Sequence, residues 1–257
     1  MKEIRNLFDL KRFFKKEVKR PIIGVTSFPY FRFGPQEFLS QYHILSFSDS
    51  LETKFFSDNI DLFCLVDEVL NMPKSFPNGK MEFLLTHPKT KNYLKKYTNP
   101  LFLGYRPESF LLKLDQRMRQ SFTFNPLSLT NSLLNKATFR AIADEINLPL
   151  PEGEVCDSKK LSFRKLKDRY QLPFVLQLPI GGGGKGTFFI ASKGEFEQVL
   201  NKQRQKGLKK MVVTKYITGV SPSITACVTK HGTLSTALQY QVLGQPELYR
   251  HEGYGLF

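Results

Sequence analysis

The 257-residue chain carries 38 Lys and Arg against 23 Asp and Glu, a formal charge of +15, and 41% of its residues are hydrophobic. That length and apolar share can bury a core in one large domain or two ordinary ones, which excludes a disordered tail. The basic residues recur along most of the chain, so the charge describes a basic surface and selects no partner among phosphate ligands, anionic membrane and nucleic acid.

Met1 to Arg20 mixes Ile4, Leu7, Phe8, Phe13, Phe14 and Val18 with eight Lys or Arg. It lacks the continuous apolar core of a signal peptide, and no later run reaches membrane-spanning length. An amphipathic helix is expected here, packing its Leu/Phe face on the body of the protein, with attachment to anionic lipid as the alternative. Cys64, Cys156 and Cys227 are too scattered for metal-ligand spacing or a disulfide framework, so a reducing, cytoplasmic compartment is expected.

Pro21 to Thr26 reads as a buried strand, and Ser27 to Pro35 as a loop forced by Pro and Gly. Short apolar runs at His43–Phe47, Asp61–Val66 and Leu101–Tyr105 alternate with helical or loop composition, as in a Rossmann-like α/β layer. This part lacks the GxGxxG of a dinucleotide site. Pro73 to Lys96 shows no clear period and is assigned no element.

From Thr130 onward, Phe139, Ile142, Ala143 and Ile146 share one helical face, and Leu148-Pro-Leu-Pro151 forces an extended exit. Lys136 lies near the start of that helix, where the dipole and free amides favour anions. Leu161–Tyr170 is helical and Pro173–Leu178 a strand. Pro179-Ile-Gly-Gly-Gly-Gly-Lys-Gly186 then leads directly into a strand at Thr187–Ala191. Glu195–Gln205 is helical, Met211–Ile217, Ser223–Thr229 and Thr233–Leu243 are strands, and Lys230-His-Gly232 makes a turn.

Glycines let backbone amides reach phosphate oxygens, and Lys185 adds charge, so the loop suits a flap over a triphosphate. It is not a Walker A loop, because Pro179 and Gly186 stand where that motif needs Gly and Ser or Thr, and a strand follows instead of a helix. Gly181, Gly183 and Gly186 fit the kinase spacing, but no VAIK, HRD or DFG follows. A flexible linker is the bland alternative, against which stand the apolar β runs on both flanks.

The order of these segments resembles the ATP-grasp superfamily, which includes biotin carboxylase, D-alanine:D-alanine ligase and carboxylate-amine ligases. Asn135-Lys136-Ala-Thr-Phe139 through Pro151 resembles its lysine-bearing helix. Phe174–Pro179 with Gly181–Thr187 resembles its phosphate strand and flap, Val212–Gly219 its adenine-reading hinge, and Ser223–Leu243 the hairpin behind it.

The resemblance implies an α/β chain with an N-terminal basic segment over 1–20, a Rossmann-like pre-grasp domain over 21–129 and the front part of an ATP-grasp domain over 130–257. It implies phosphate contacts from Lys136, Gln177, Gly182, Gly183, Gly184, Lys185, Gly186 and Thr187. Adenine contacts would come from Thr214, Lys215, Tyr216 and Ile217. Two positions depart from the pattern: Gln177 replaces a usual phosphate-binding lysine and Ser221 a usual ribose-binding glutamate. The magnesium-binding residues of the family lie on later strands, and a chain stopping at Leu256-Phe257 is expected to be a truncation.

Metal ligands and catalytic residues are therefore not assigned. The function expected is ATP binding within an ATP-dependent ligase acting through an acylphosphate, with a small carboxylate and a nucleophile as partners and magnesium supplied elsewhere. A non-catalytic nucleotide-binding module is the alternative. A basic nucleic-acid-binding protein is the second, disfavoured because the 24 Phe and 10 Tyr mostly sit in apolar periodic runs.

Overall fold

The computed structural model describes residues 5–56, 60–77, 79–182, 184, 186–219 and 222–240. It divides into two compact units, Met1–Thr130 and Asn131–Phe257.

In the first unit, α1 (Leu7–Glu17) precedes four strands: β1 (Ile22–Thr26), β2 (Tyr42–Ser46), β3 (Asp61–Cys64) and β4 (Leu101–Leu103). They form one parallel sheet in the order β3-β2-β1-β4. Every residue of β1 is buried, as a parallel strand covered on both faces requires. Ile23, Val25, Leu45, Phe63 and Phe102 pack on one side with Leu84, Leu85 and Leu94. On the other side Ile22, Tyr42 and Ile44 pack with Leu39, Phe14 and Val18.

α1 therefore docks by its Phe14 side, and Phe14 meets Phe38 with ring centroids 5.4 Å apart. Leu7, Phe8 and Phe13 stay exposed, so only part of the expected Leu/Phe face packs on the protein. The apolar positions wrap too far round the helix for one contact to cover them.

Several boundaries differ from the sequence reading. The run at Asp61–Val66 is strand only to Cys64 and continues as α3 (Leu65–Glu68), after the short α2 (Thr53–Phe56). β4 stops at Leu103. The unassigned stretch holds α4 (Lys80–Thr86) and α5 (Pro88–Leu94), with Leu84, Leu85, Thr90 and Leu94 buried. Each is about two turns long, too short for a 3.6-residue period to accumulate, and Pro88 starts a helix instead of breaking one. α6 (Gln116–Gln120) follows, and α7 (Leu127–Leu134) runs across the division between units.

The second unit contains α8 (Lys136–Glu145), β5 (Gly153–Asp157), α9 (Phe163–Tyr170), β6 (Phe174–Gln177), β7 (Thr187–Ile190), α10 (Lys193–Gln205) and β8 (Lys210–Lys215). Its sheet is antiparallel throughout, in the order β5-β8-β6-β7. Phe174, Leu176, Ile190, Met211 and Val213 face Leu166 and Tyr170 of α9 and Phe196 and Leu200 of α10. Ser192 and Glu195 close a capping box that starts α10.

β5 was not legible in the sequence. Gly-Glu-Val-Cys-Asp has weak β-forming composition and pairs only with β8 at the sheet edge. β8 ends at Lys215, two residues earlier than expected, and of the predicted face on α8 only Ala143 is buried.

The two long strands expected after Ser223 are each divided, giving β9 (Pro222–Ser223), β10 (Ala226–Thr229), β11 (Gly232–Ser235) and β12 (Gln239–Tyr240). β10 pairs with β11 and β9 with β12, all antiparallel. Thr225 and Thr236 sit at the break. Thr225 N donates to the Thr236 hydroxyl (3.2 Å), and Thr236 N donates to the Thr225 carbonyl (2.9 Å). A side-chain oxygen thus replaces one ladder acceptor. The expected turn is present, with Gly232 at φ +135. Residues 241–243 of the last expected strand lie outside the described residues.

Candidate phosphate and adenine site

Strand alternation puts Val175, Gln177, Thr187, Phe189, Val212 and Thr214 on the sheet face opposite α9 and α10. Register joins them, since Gln177 lies beside Thr187 and Val212, and Val175 beside Phe189 and Thr214. The glycine loop closes one end of this face. Leu178 N donates to the Gly186 carbonyl (2.8 Å), and Thr187 N to the Gly184 carbonyl (3.0 Å).

Two of its glycines are demanded by the backbone. Gly184 and Gly186 have φ of +73 and +86, and a Cβ on Gly186 would come within 2.9 Å of the Leu178 side chain. Gly182 is different: a Cβ there would meet nothing within 4 Å. Open space around a glycine amide is what a ligand oxygen needs for close approach. Gly183 and Lys185 lie outside the described residues, as does Ser221.

Lys136 begins α8 beside this loop. Its backbone N donates to the Pro179 carbonyl at 2.7 Å, and its Nζ donates to the Gly181 carbonyl at 2.9 Å. Burial pushes its pKa below the ordinary lysine value, because a half-buried ammonium loses hydration. The expectation of free amides at this helix start is corrected. Asn135 Oδ1 accepts from Ala137 N (3.0 Å) and Thr138 N (3.3 Å), and Pro179 takes the Lys136 amide. The capping side chain has already filled the anion position, so among the described residues of this helix start the Lys136 ammonium is the group left to attract an anion.

Gln177 is half-buried, and its Nε2 donates to Thr187 Oγ1 at 3.4 Å. Thr214 lies two residues beyond Val212 on β8, and Lys215 N donates to the Glu152 carbonyl at 2.8 Å, which fixes the strand's exit. Tyr216 then meets Phe189 edge to face, with centroids 5.6 Å apart, and Ile217 is exposed.

Phe189, Val155 and Gly153 belong with this group but were not singled out in the sequence. Alternation along Thr187–Ala191 was the available signal for Phe189. Gly153 has a distinct reason to be glycine, since a Cβ would lie 2.3 Å from the Val213 carbonyl. Behind β5, Glu154 accepts from Arg169 (2.9 Å) and the Tyr170 hydroxyl (3.0 Å), and burial, followed by the hydrogen bond to Glu154 and then its charge, raises the Tyr170 pKa to about 12. This holds α9 to the sheet edge.

Among the described residues no group of three or more His, Cys, Asp or Glu side chains could hold a metal ion. Among the described residues, too, no helix is long and apolar enough to cross a membrane.

A parallel α/β unit followed by an antiparallel sheet with a glycine-rich hairpin loop defines a class of two-unit α/β fold. The particular fold is ATP-grasp: a Rossmann-like domain and the front part of an ATP-grasp domain. No protein-family model matches the sequence, and no curated protein sequence matches it.

Solved structures carry the likeness. An N5-carboxyaminoimidazole ribonucleotide synthetase in its ADP complex matches with a TM-score of 0.54 at 11% identity, over 87% of this chain and 54% of the other. The Staphylococcus aureus N5-carboxyaminoimidazole synthetase with ADP matches at 0.53 and 12%, over 86% and 55%. The Helicobacter pylori D-alanine-D-alanine ligase matches at 0.52 and 11%, over 88% and 75%. At such identities the likeness is one of fold. The chain spans about half the length of the first two.

Proposed function

We propose that the second unit binds ATP as part of an ATP-dependent carboxylate-amine or related ligase. In this reading the triphosphate lies under the glycine loop, where Lys136 and the amides about Gly182 to Gly186 meet its oxygens. Gln177 and Thr187 donate hydrogen bonds to it, Thr214 to Ile217 meet the adenine edge, and Ser221 lies near the ribose. The observation that carries the reading is the 2.9 Å contact of Lys136 Nζ with the Gly181 carbonyl. It brings a half-buried cation to a loop that is open at Gly182.

A carboxylate attacking the γ-phosphorus would form an acylphosphate and release ADP; an amine or other nucleophile would then displace phosphate. Positive charge and aimed amides stabilise the transferring group in such a step. Magnesium, if bound with the nucleotide, would neutralise part of the phosphate charge, and none of the residues named here is assigned to hold it. The neighbours' complexes with ADP support the nucleotide part of the reading.

A second reading is a nucleotide-binding module without turnover. Gln177 favours it, because a neutral amide already hydrogen-bonded to Thr187 supplies no charge to a transferring phosphoryl group. Calorimetric ATP titration combined with a phosphate-release assay over a panel of small carboxylates separates the two. Carboxylate-dependent release supports the ligase, binding without release fits the module and equally a ligase whose magnesium ligands lie outside these residues, and absence of ATP binding contradicts both.

A further inference from the structure

α1 is fixed to the first unit along one side only. Leu10, Phe14 and Val18 follow one another at intervals of four residues and are half-buried, and Phe14 and Val18 pack on the cluster of Ile22, Leu39, Tyr42 and Ile44. That is the docked side. Phe8 lies outside it and is 77% exposed.

Around Phe8 the helix is cationic. Residues three, four and seven positions apart share a helical face, so Lys11, Arg12 and Lys15, all exposed, stand on the face of this ring. Lys19 joins them from beyond the helix end, since its Nζ donates to the Lys15 carbonyl at 2.9 Å. The carboxylates of α1 lie elsewhere. Asp9 and Glu17 come four residues before and after Phe13 and share the face of that other ring. Asp9 accepts from Arg5 N at 3.3 Å, and Glu17 lies 3.8 Å from Lys16. The helix therefore has three sides: an apolar one docked on the protein, an acidic one around Phe13 and a basic one around Phe8.

A single exposed phenylalanine is ordinary on a protein surface. Set among four cations, with no carboxylate of α1 on its face, it has the makeup of an interfacial helix. The ring enters the boundary between headgroups and acyl chains, while the flexible lysine stems carry their ammonium groups out to lipid phosphates and carboxylates. A nucleic-acid duplex would satisfy the cations but offers the ring no apolar layer. Charge complementarity thus selects an anionic leaflet for the Phe8 side and turns the Phe13 side away from it. The docked side also holds α1 as a formed helix, so little ordering remains to be done at the lipid surface.

We infer that the Phe8 face of α1 is a docking surface for an anionic lipid bilayer, which the first unit meets as a peripheral protein. The surface belongs to the first unit alone and does not depend on nucleotide binding by the second.

Co-sedimentation of the intact chain, without nucleotide and at fixed low salt, tests this with vesicles of equal parts phosphatidylserine and phosphatidylcholine and with vesicles of phosphatidylcholine alone. Binding is expected to the first and not to the second. Phe8→Ala should weaken it about fivefold or more through loss of the ring, with the thermal unfolding curve in place because the side chain is exposed. Lys11→Gln combined with Lys15→Gln should weaken it about twentyfold. Phe13→Ala, on the acidic side, and the charge-matched pair Lys165→Gln with Lys209→Gln should each leave it within about twofold, since charges away from the docking face are screened. Equal losses from the two lysine pairs, undiminished binding by Phe8→Ala, no binding to the anionic vesicles, or binding of a single-stranded oligonucleotide in place of vesicles would each overturn the inference.

Discussion

The Lys136 ammonium donates to the Gly181 carbonyl at 2.9 Å across a separation of 45 residues, and its own backbone amide donates to the Pro179 carbonyl at 2.7 Å. One residue thus ties the first turn of α8 to the base of the glycine loop through both main chain and side chain. A phosphate oxygen is a stronger partner for an ammonium than a neutral carbonyl. Nucleotide arrival is therefore expected to release Gly181 and order the loop around the ligand. Amide exchange at Gly181 and Gly182 should be fast without ATP and slow with it; equal rates in the two states would remove the phosphate role.

Lys136 also sets a pH dependence. Its pKa is lowered by burial, so in the free protein the proton is lost below the usual lysine value, and a bound phosphate, favouring the charged form, raises the pKa again. ATP affinity should decline as pH rises through the lowered value. The Lys136→Arg variant, which cannot be deprotonated, should not show this decline. Titration calorimetry across alkaline pH reads the difference.

Gly186 and Gly182 make a contrasting pair. Alanine at Gly186 must adopt φ near +86 and meet Leu178 at 2.9 Å, which should destabilise the chain by about 1–3 kcal/mol. Alanine at Gly182 meets nothing within 4 Å and should leave stability alone while weakening ATP binding. Denaturant unfolding and ATP titration of both variants check the pair.

In the first unit Asp61 accepts from the Tyr93 hydroxyl (2.9 Å), the Tyr97 hydroxyl (2.8 Å) and Lys96 Nζ (2.9 Å). Burial alone would raise its pKa, but these hydrogen bonds and the Lys96 charge outweigh it and lower the value from 3.8. A depressed carboxylate pKa adds stability that is present above the unfolded value and is lost as pH falls through the folded one. The group is largely exposed, so screening reduces the effect, and Asp61→Asn should cost about 1 kcal/mol at neutral pH. That cost should vanish as pH falls below the ordinary carboxylate range, which unfolding curves at several pH values would reveal.

The parallel strands, the strand-loop-strand around the glycines and the helix bearing Lys136 were legible because β-branched runs and helical periodicity are local signals. Three kinds of feature were not. α4 and α5 are too short to show a period, β5 is defined by its partner β8 and not by its own residues, and the capping of α8 by Asn135 turned apparently free amides into satisfied ones. The candidate site was legible as a set of residues, Lys136, Gln177 and the glycines. The contact partners Pro179, Gly181 and Phe189 were not, because they depend on how α8, β7 and β8 come together.

The central claim is that Lys136 and the glycine loop bind a triphosphate, and the measurement that tests it most directly is calorimetric titration of ATP, at fixed salt and magnesium, into the intact chain and its Lys136→Ala, Gln177→Lys and Lys209→Ala variants. Loss of one charge-assisted hydrogen bond should weaken binding by about 1.5–3 kcal/mol in Lys136→Ala. Gln177→Lys should tighten it by adding charge on the open face. The exposed Lys209 should matter little, since isolated surface charges are screened. Equal small losses at Lys136 and Lys209, or no ATP binding by the unaltered chain, would contradict the claim.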